Sequence, residues 1–354
     1  MTPIRKLVVF HTAFIGDIVL TIPLLQYLRE AFPGAEILAV TTPAAAGLLR
    51  GHPAVSRVIE FDKRGVARGM RGVLSIAHVL RGERIDVAVI PHRSLRSGVV
   101  CWLARIPVRI GFDTSSGRVL LTHKVQYQKK AHEIDRNLSL TRPLGHQPAR
   151  ILPRLYPSAE DARVVDELLR HYENVASAGG REQMIAIAPG SVWETKRWPE
   201  ERFAELARCF AADGWTIVLI GGEADVPLCG RIASTAGTQF IDASGRLTLL
   251  QSAELIRRCA VLVSNDSAPM HLAVGVDTPV VAIFGATIPG FGFAPAGPRD
   301  RVVETPGLDC RPCSIHGGTR CPIRTFVCMR NISAEQLMTE VRALVRAPFG
   351  VRAR

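Results

Sequence analysis

"KLVVFHTAFIGDIVLTIPLLQYLREAFPGAEILAVT", residues 6–41, decides the fold class. "KLVVFHT" and "EILAVT" are short apolar runs of strand character. Between them, up to about Phe32, apolar residues recur at helical spacing. A strand, a helix and a second strand in succession predict a parallel sheet covered on both faces. The pattern continues with "RVIEF", "IDVAVIP", a helix over "HRSLRSGVVCWLARI" and a short strand "VRIGF". Inside the opening stretch, Gly16-Asp17 places a lone carboxylate within an otherwise apolar run. Gly16 permits a tight turn and Asp17 stands at a helix head. It can cap free backbone amides there, or it can do chemistry.

Residues 143–182 break the alternation with "PLGHQPARILPRLYPSAED" and "SAGGREQ", around a helix at about 158–173. This segment reads as an interdomain crossover. The alternation then restarts. "MIAIAP", "WTIVLIGG", "AVLVSN" and "PVVAIFG" are strands. "PEERFAELARCFAADG", "DVPLCGRIASTAG", "LTLLQSAELIRRC", "SAPMHLAVGV" and a closing segment from about Ser333 to Arg346 are helices. The expected organisation is two doubly wound α/β domains in tandem: 1–157, a crossover at 158–182, and 183–354.

Composition agrees with two cores. The chain has 354 residues, 47% hydrophobic and 21% charged, more than one ordinary core uses. The longest uncharged stretch, Thr278 to Pro298, is interrupted by four prolines and four glycines, so no segment reads as membrane-spanning. Asp17 splits the N-terminal apolar region, which argues against a signal peptide, and a cytoplasmic protein is expected. The net charge of +12 is lopsided: residues 1–170 hold 25 basic and 14 acidic side chains, against 19 and 18 in the remainder. The first half is therefore expected to meet an anionic partner. Nucleic acid is disfavoured, because aromatics are only 6% and the basic strips lack interleaved aromatics that could stack on bases.

In doubly wound sheets, ligands bind beyond the C-terminal strand ends. Neither a G-x-x-x-x-G-K-[ST] loop nor a G-x-G-x-x-G turn follows a strand here. Four other strand-end loops carry chemistry. The first holds Asp17. The second, "PGSVWETKRWP" (189–199), offers Ser191 and a basic pair, Lys196-Arg197, just before a helix opened by Pro199, as a phosphate grip. The third, "LIGGEADV", places Glu223 where a carboxylate can accept two ribose hydroxyls. In the fourth, "VSNDSAPMHLAVG" (263–275), the backbone N–H groups of Ser267 and Ala268 open a helix suited to an anion, and His271 lies one turn in. Each also has a plain reading, as a turn, a solvated loop or a core histidine.

Cys101, Cys209, Cys229 and Cys259 lie in apolar contexts and read as core. Cys310, Cys313, Cys321 and Cys328 form a C-x2-C-x7-C-x6-C cluster enclosing His316. In a cytosolic protein this spacing favours a structural zinc site over disulfides, with reduced thiols as the other reading.

Taken together, "GDIVLTIPLLQYLREAFP", "PGSVWETKRWPEERFAEL", "NDSAPMHLAVGVDTPVVAIFG" and the terminal cysteines resemble glycosyltransferase family 9, the lipopolysaccharide heptosyltransferases, over nearly the whole chain. The resemblance implies a GT-B architecture: two Rossmann-like domains facing across a cleft, the first taking the acceptor and the second the nucleotide-sugar donor. It implies inverting transfer of heptose from ADP-L-glycero-D-manno-heptose to the inner core of lipopolysaccharide, with no catalytic metal. Asp17 matches the general base and Lys196 the residue holding the donor phosphates. Glu223 matches the acid on the nucleoside side and Asp266 the carboxylate near the sugar. Ser267, Ala268 and His271 fall in the phosphate-binding helix start. Ser267-Ala268 stands where some members have Thr-Gly, which leaves the amides in place. The basic half then has a target in an anionic glycolipid acceptor and the inner face of the cytoplasmic membrane. Lys63, Arg64, Arg68, Arg93 and Arg96 are the expected acceptor-facing cations. "KRWP" and the cysteine cluster lean toward the second-heptose type. A monomer is expected. Another nucleotide-sugar, an inactive sugar-nucleotide-binding scaffold and a basic nucleic-acid-binding protein are the competing readings.

Overall fold

The computed structural model describes residues 3–63, 65, 69–172 and 183–346. The chain divides into two units, Met1–Tyr156 and Pro157–Arg354. The helix Ala159–Arg170, read as part of the crossover, belongs to the second unit.

The strands of the first unit are β1 (Lys6–Phe10), β2 (Glu36–Thr41), β3 (Arg57–Glu60), β4 (Val87–Ile90), β5 (Val108–Phe112) and β6 (His123–Val125). Those of the second are β7 (Met184–Ala188), β8 (Thr216–Leu219), β9 (Phe240–Asp242), β10 (Val261–Asn265), β11 (Val280–Phe284) and β12 (Arg301–Glu304). They form two six-stranded sheets, ordered β3-β2-β1-β4-β5-β6 and β12-β11-β10-β7-β8-β9. All strand pairs are parallel. Read from the other edge, the second order repeats the first: both are the doubly wound Rossmann arrangement. The order reverses between β1 and β4 in one sheet and between β7 and β10 in the other. At those two points, neighbouring crossovers leave toward opposite faces and open a crevice at the strand ends.

The central strands are apolar throughout because both faces are covered. Alternation still assigns each residue to a face. Val8, Phe10, Leu38, Val40, Ala88 and Ile90 share a core with Val73, Ile76 and Leu80 of helix Gly69–Gly82 and with Val100 and Cys101 of helix Leu95–Leu103. In the second unit Ile185, Ile187, Ile217 and Val263 pack with Phe203 and Phe210 of helix Glu200–Ala212 and Val341 of helix Ala334–Arg346.

The structure corrects one element. The helix expected to run unbroken to Phe32 is two, Ile15–Val19 and Ile22–Ala31. Pro23 has no N–H to give to the preceding turn. The Thr21 hydroxyl instead bonds back to the Asp17 carbonyl at 2.8 Å, a contact that bends helices. The break confines Asp17 to a short helix at the end of β1. The strands β6, β9 and β12, absent from the sequence reading, are three or four residues long and lie at or toward the sheet edges.

Candidate functional site

In the first unit the chemistry collects at the β1/β4 reversal. Asp17 is half-buried, and its Oδ2 accepts the Phe14 backbone N–H at 3.1 Å. The capping interaction is thus present and orients the carboxylate. Beneath it, Thr21 Oγ1 gives its proton to Asp17 O. It therefore accepts from His11 Nδ1 at 2.6 Å and from Asn137 Nδ2 at 3.4 Å. His11 consequently carries its proton on Nδ1. Burial drives His11 well below the ordinary histidine value, so the ring is neutral. Asn137 Nδ2 also reaches Leu20 O at 3.1 Å, fastening helix Glu133–Ser139 to the break that follows Asp17.

The cations gather at the same strand ends. Lys63, beyond β3, donates to Thr12 O, in the loop leading to Asp17. Arg96 Nη1 reaches Lys63 O at 3.3 Å. Arg93, just after β4, is exposed and lies over the Tyr127 ring, 4.2 Å from its centroid. Burial, helped by the Lys63 and Arg93 charges, pushes His92 down to about 4. Arg64 and Arg68 lie outside the described residues.

Glu133 and Arg136 were not singled out from sequence. They pair at 2.6 Å and are almost fully buried. The Arg136 guanidinium sits 4.9 Å from the Tyr127 centroid. Burial outweighs the Arg136 partner and pushes Glu133 up to about 7, with the Asp17 charge adding to the rise. The only sequence signal was an Asp/Glu-rich start to a short helix, which ordinarily means capping.

In the second unit the chemistry collects at the β7/β10 reversal. Asn265, at the end of β10, receives the Trp198 backbone N–H at 3.1 Å and gives its own amide proton to Pro189 O at 2.7 Å. Trp198 Nε1 donates to Ile332 O at 3.0 Å. These bonds stitch the 189–199 loop to the neighbouring strand end. They bring Lys196 Nζ within 2.6 Å of Asp266 Oδ2, in a pair largely screened from water. Thr287, beyond β11, was missed from sequence and donates to the same oxygen at 2.6 Å. Ser191 is buried and accepts the Trp193 N–H at 3.3 Å. Ser267 precedes the eight-residue helix Ala268–Gly275, and His271 is buried one turn in. Glu223 is exposed and opens a short helical turn just beyond β8.

The four clustered cysteines line one recess, with Pro322, Ile323, Thr325 and Val327. All are free thiols. Among the described residues, no group of three or more His, Cys, Asp or Glu side chains is arranged to hold a metal ion. Cys101, Cys229 and Cys259 are core residues whose thiols burial pushes up to about 12.

A family model described as glycosyltransferase family 9 (heptosyltransferase) matches residues 73–319. Its match spans Lys196, Glu223 and Asp266 and begins after Asp17. Lipopolysaccharide heptosyltransferase 2 of Escherichia coli K12 is 29% identical over 311 residues, covering 84% of this chain and 88% of that protein. A solved family 9 glycosyltransferase from Veillonella parvula superposes with TM-score 0.82 at 24% identity, covering 96% of this chain and 97% of its own. The E. coli ADP-heptose lipopolysaccharide heptosyltransferase II structure gives 0.77 at 24% identity, covering 96% and 98%. At these identities the two structures attest the shared fold.

Proposed function

The chain belongs to glycosyltransferase family 9 and has its GT-B fold, and we propose that it is an inverting heptosyltransferase of the lipopolysaccharide inner core, of the second-heptose type. The donor is ADP-L-glycero-D-manno-heptose, in keeping with the name of the E. coli structure. One observation carries the reading: the same strand-order reversal is furnished twice with opposite chemistry. One holds an oriented carboxylate among cations; the other holds a lysine–carboxylate pair near a helix start.

In the proposed step, an acceptor hydroxyl attacks the anomeric carbon as Asp17 takes its proton. The new C–O bond forms while the bond to the β-phosphate breaks, and ADP leaves with the electron pair. Attack from the opposite side inverts the anomeric centre. Lys196 and the amides at 267–268 offset the charge developing on the diphosphate. Asp266 faces the sugar and Glu223 the nucleoside. Lys63, Arg93 and Arg96 hold acidic groups of the glycolipid acceptor. Among the described residues no helix is long and apolar enough to cross a membrane. The basic first half would hold the protein, as a monomer, against an anionic leaflet on the cytoplasmic side.

The test is direct. Purified protein is supplied with ADP-heptose and defined truncated core acceptors, with Asp17→Asn in parallel. Transfer by the parent and its near-complete loss in the variant are expected. No transfer to any acceptor, or a variant as fast as the parent, overturns the reading.

A further inference from the structure

The cysteine-rich segment is the one strong sequence motif that the proposed reaction leaves unused. It leaves β12 at Thr305 and returns to helical structure at Val327–Arg330. Between those points it packs against the lysine stem and bonds to residues 286–287, which carry the threonine that holds the carboxylate.

On the lysine side, Thr195 is 2% exposed and adjoins Lys196. Its backbone N–H donates to Gly318 O at 3.0 Å. Its hydroxyl donates to the same oxygen at 3.1 Å and accepts the Gly318 N–H at 2.7 Å. Gly317 beside it has φ +85°, and a Cβ there would stand 3.1 Å from Lys196 Cγ. Only glycine meets both conditions without strain, so the segment lies flush against the lysine stem.

On the carboxylate side, the Arg311 side chain is 6% exposed and donates through Nη2 to Thr287 O at 2.7 Å and to Glu304 Oε2 at 2.8 Å. Cys313 N donates to Ala286 O at 2.8 Å. Thr287 in turn donates to Asp266. The contacts close a circuit: Lys196, Asp266, Thr287, Arg311, the segment itself, Gly318, Thr195 and back to Lys196.

We infer that the cysteine-rich segment frames the diphosphate grip, with Thr195, Thr287 and Arg311 as positioning residues that hold Lys196 and Asp266 for a nucleoside diphosphate. The inference rests on the donor reading given above. Its physical content is a partner exchange at Asp266. Without ligand, Oδ2 has two partners, Lys196 Nζ and Thr287 Oγ1. When Lys196 turns to a diphosphate, a carboxylate 7% exposed would lose its counter-charge. An uncompensated buried carboxylate is costly. The Thr287 hydroxyl, fixed through its backbone by Arg311, keeps one strong bond to that oxygen and lowers the cost of releasing the lysine. Thr195 keeps the lysine stem on the side from which it can swing.

The experiment measures ADP binding by calorimetry, together with KM for the acceptor, on full-length parent, Thr287→Val, Thr287→Ser, Thr195→Val, Lys196→Ala and the Lys196→Ala/Thr287→Val double variant. Thr287→Val should weaken ADP about tenfold and leave the acceptor KM within about twofold, while Thr287→Ser, which keeps the hydroxyl, recovers most of the loss. Thr195→Val should weaken ADP several-fold. Because Thr287 acts through the release of Lys196, its substitution should cost little once Lys196 is gone. The framing role is overturned if Lys196→Ala weakens ADP while Thr287→Val binds it as the parent does. Equal losses for Thr287→Val and Thr287→Ser, additive losses in the double variant, or a fall in acceptor affinity as large as that for ADP, also overturn it. If Lys196→Ala itself binds ADP as tightly as the parent, the donor reading falls, and the framing role with it. Thr287→Ser keeps the test decisive should the valine variant fold poorly.

Discussion

The two strand-order reversals, β1/β4 and β7/β10, are alike in backbone and opposite in electrostatics. At the first, a half-buried carboxylate accepts a backbone amide while a neutral histidine–threonine–asparagine network holds the main-chain carbonyl of the same residue, with cations close by. At the second, a carboxylate is already neutralised by a lysine and a hydroxyl in a site largely closed to water. The fold supplies a crevice in both cases, and the loop residues decide what it does. A base must be ionised and able to accept a proton, whereas a phosphate grip must hold a cation ready without leaving it unpaired.

Substitutions can break this contrast in order of effect. Asp17→Asn should lower kcat by about a thousandfold, within the usual span for a positioned general base, while ADP binding stays at the parent's value; loss of ADP binding instead would show the carboxylate serving the donor. Lys196→Ala should lower kcat/KM for the donor by about a hundredfold with acceptor KM little changed. Arg93→Ala should raise the acceptor KM about tenfold for an acceptor bearing acidic groups. A neutral acceptor analogue should be almost indifferent, and the difference should shrink as salt is added.

The smallest effect sharpens the first site. Burial raises the folded-state value of Glu133 from 4.5 to about 7. Between those limits the folded protein binds more protons at this group than the unfolded chain does, so this contribution to stability falls as pH rises. Glu133→Gln removes the titration. Its melting temperature should therefore change less than the parent's between pH 4.5 and 7, and parallel curves for the two would contradict the assignment.

Much of both sites was legible because a strand-end residue declares itself locally. Gly16-Asp17, Lys196 and Asp266 each follow an apolar run and precede a helical pattern, and each is found at a reversal point. Thr287 gave no such signal: a lone threonine in "FGATIPG" is chemically unremarked until Asp266 arrives from another strand end. Glu133 drew no reading from the sequence: an acid at the start of a short helix is locally ordinary, and only the tertiary structure shows it buried against Arg136. The strands β6, β9 and β12 escaped because edge or near-edge strands are short and only partly covered, leaving little apolar pattern to read.

By itself the sequence determined the two α/β halves, the parallel sheets and the loops that carry the reactive groups. These follow from periodicity and turn chemistry, which act between near neighbours along the chain. Tertiary structure alone decided which groups meet. It put Lys196 against Asp266, laid the cysteine-rich segment against Thr195 and Thr287, and buried Glu133 beside Arg136. Those pairings join residues distant in sequence, or depend on how far water is excluded, and local pattern encodes neither.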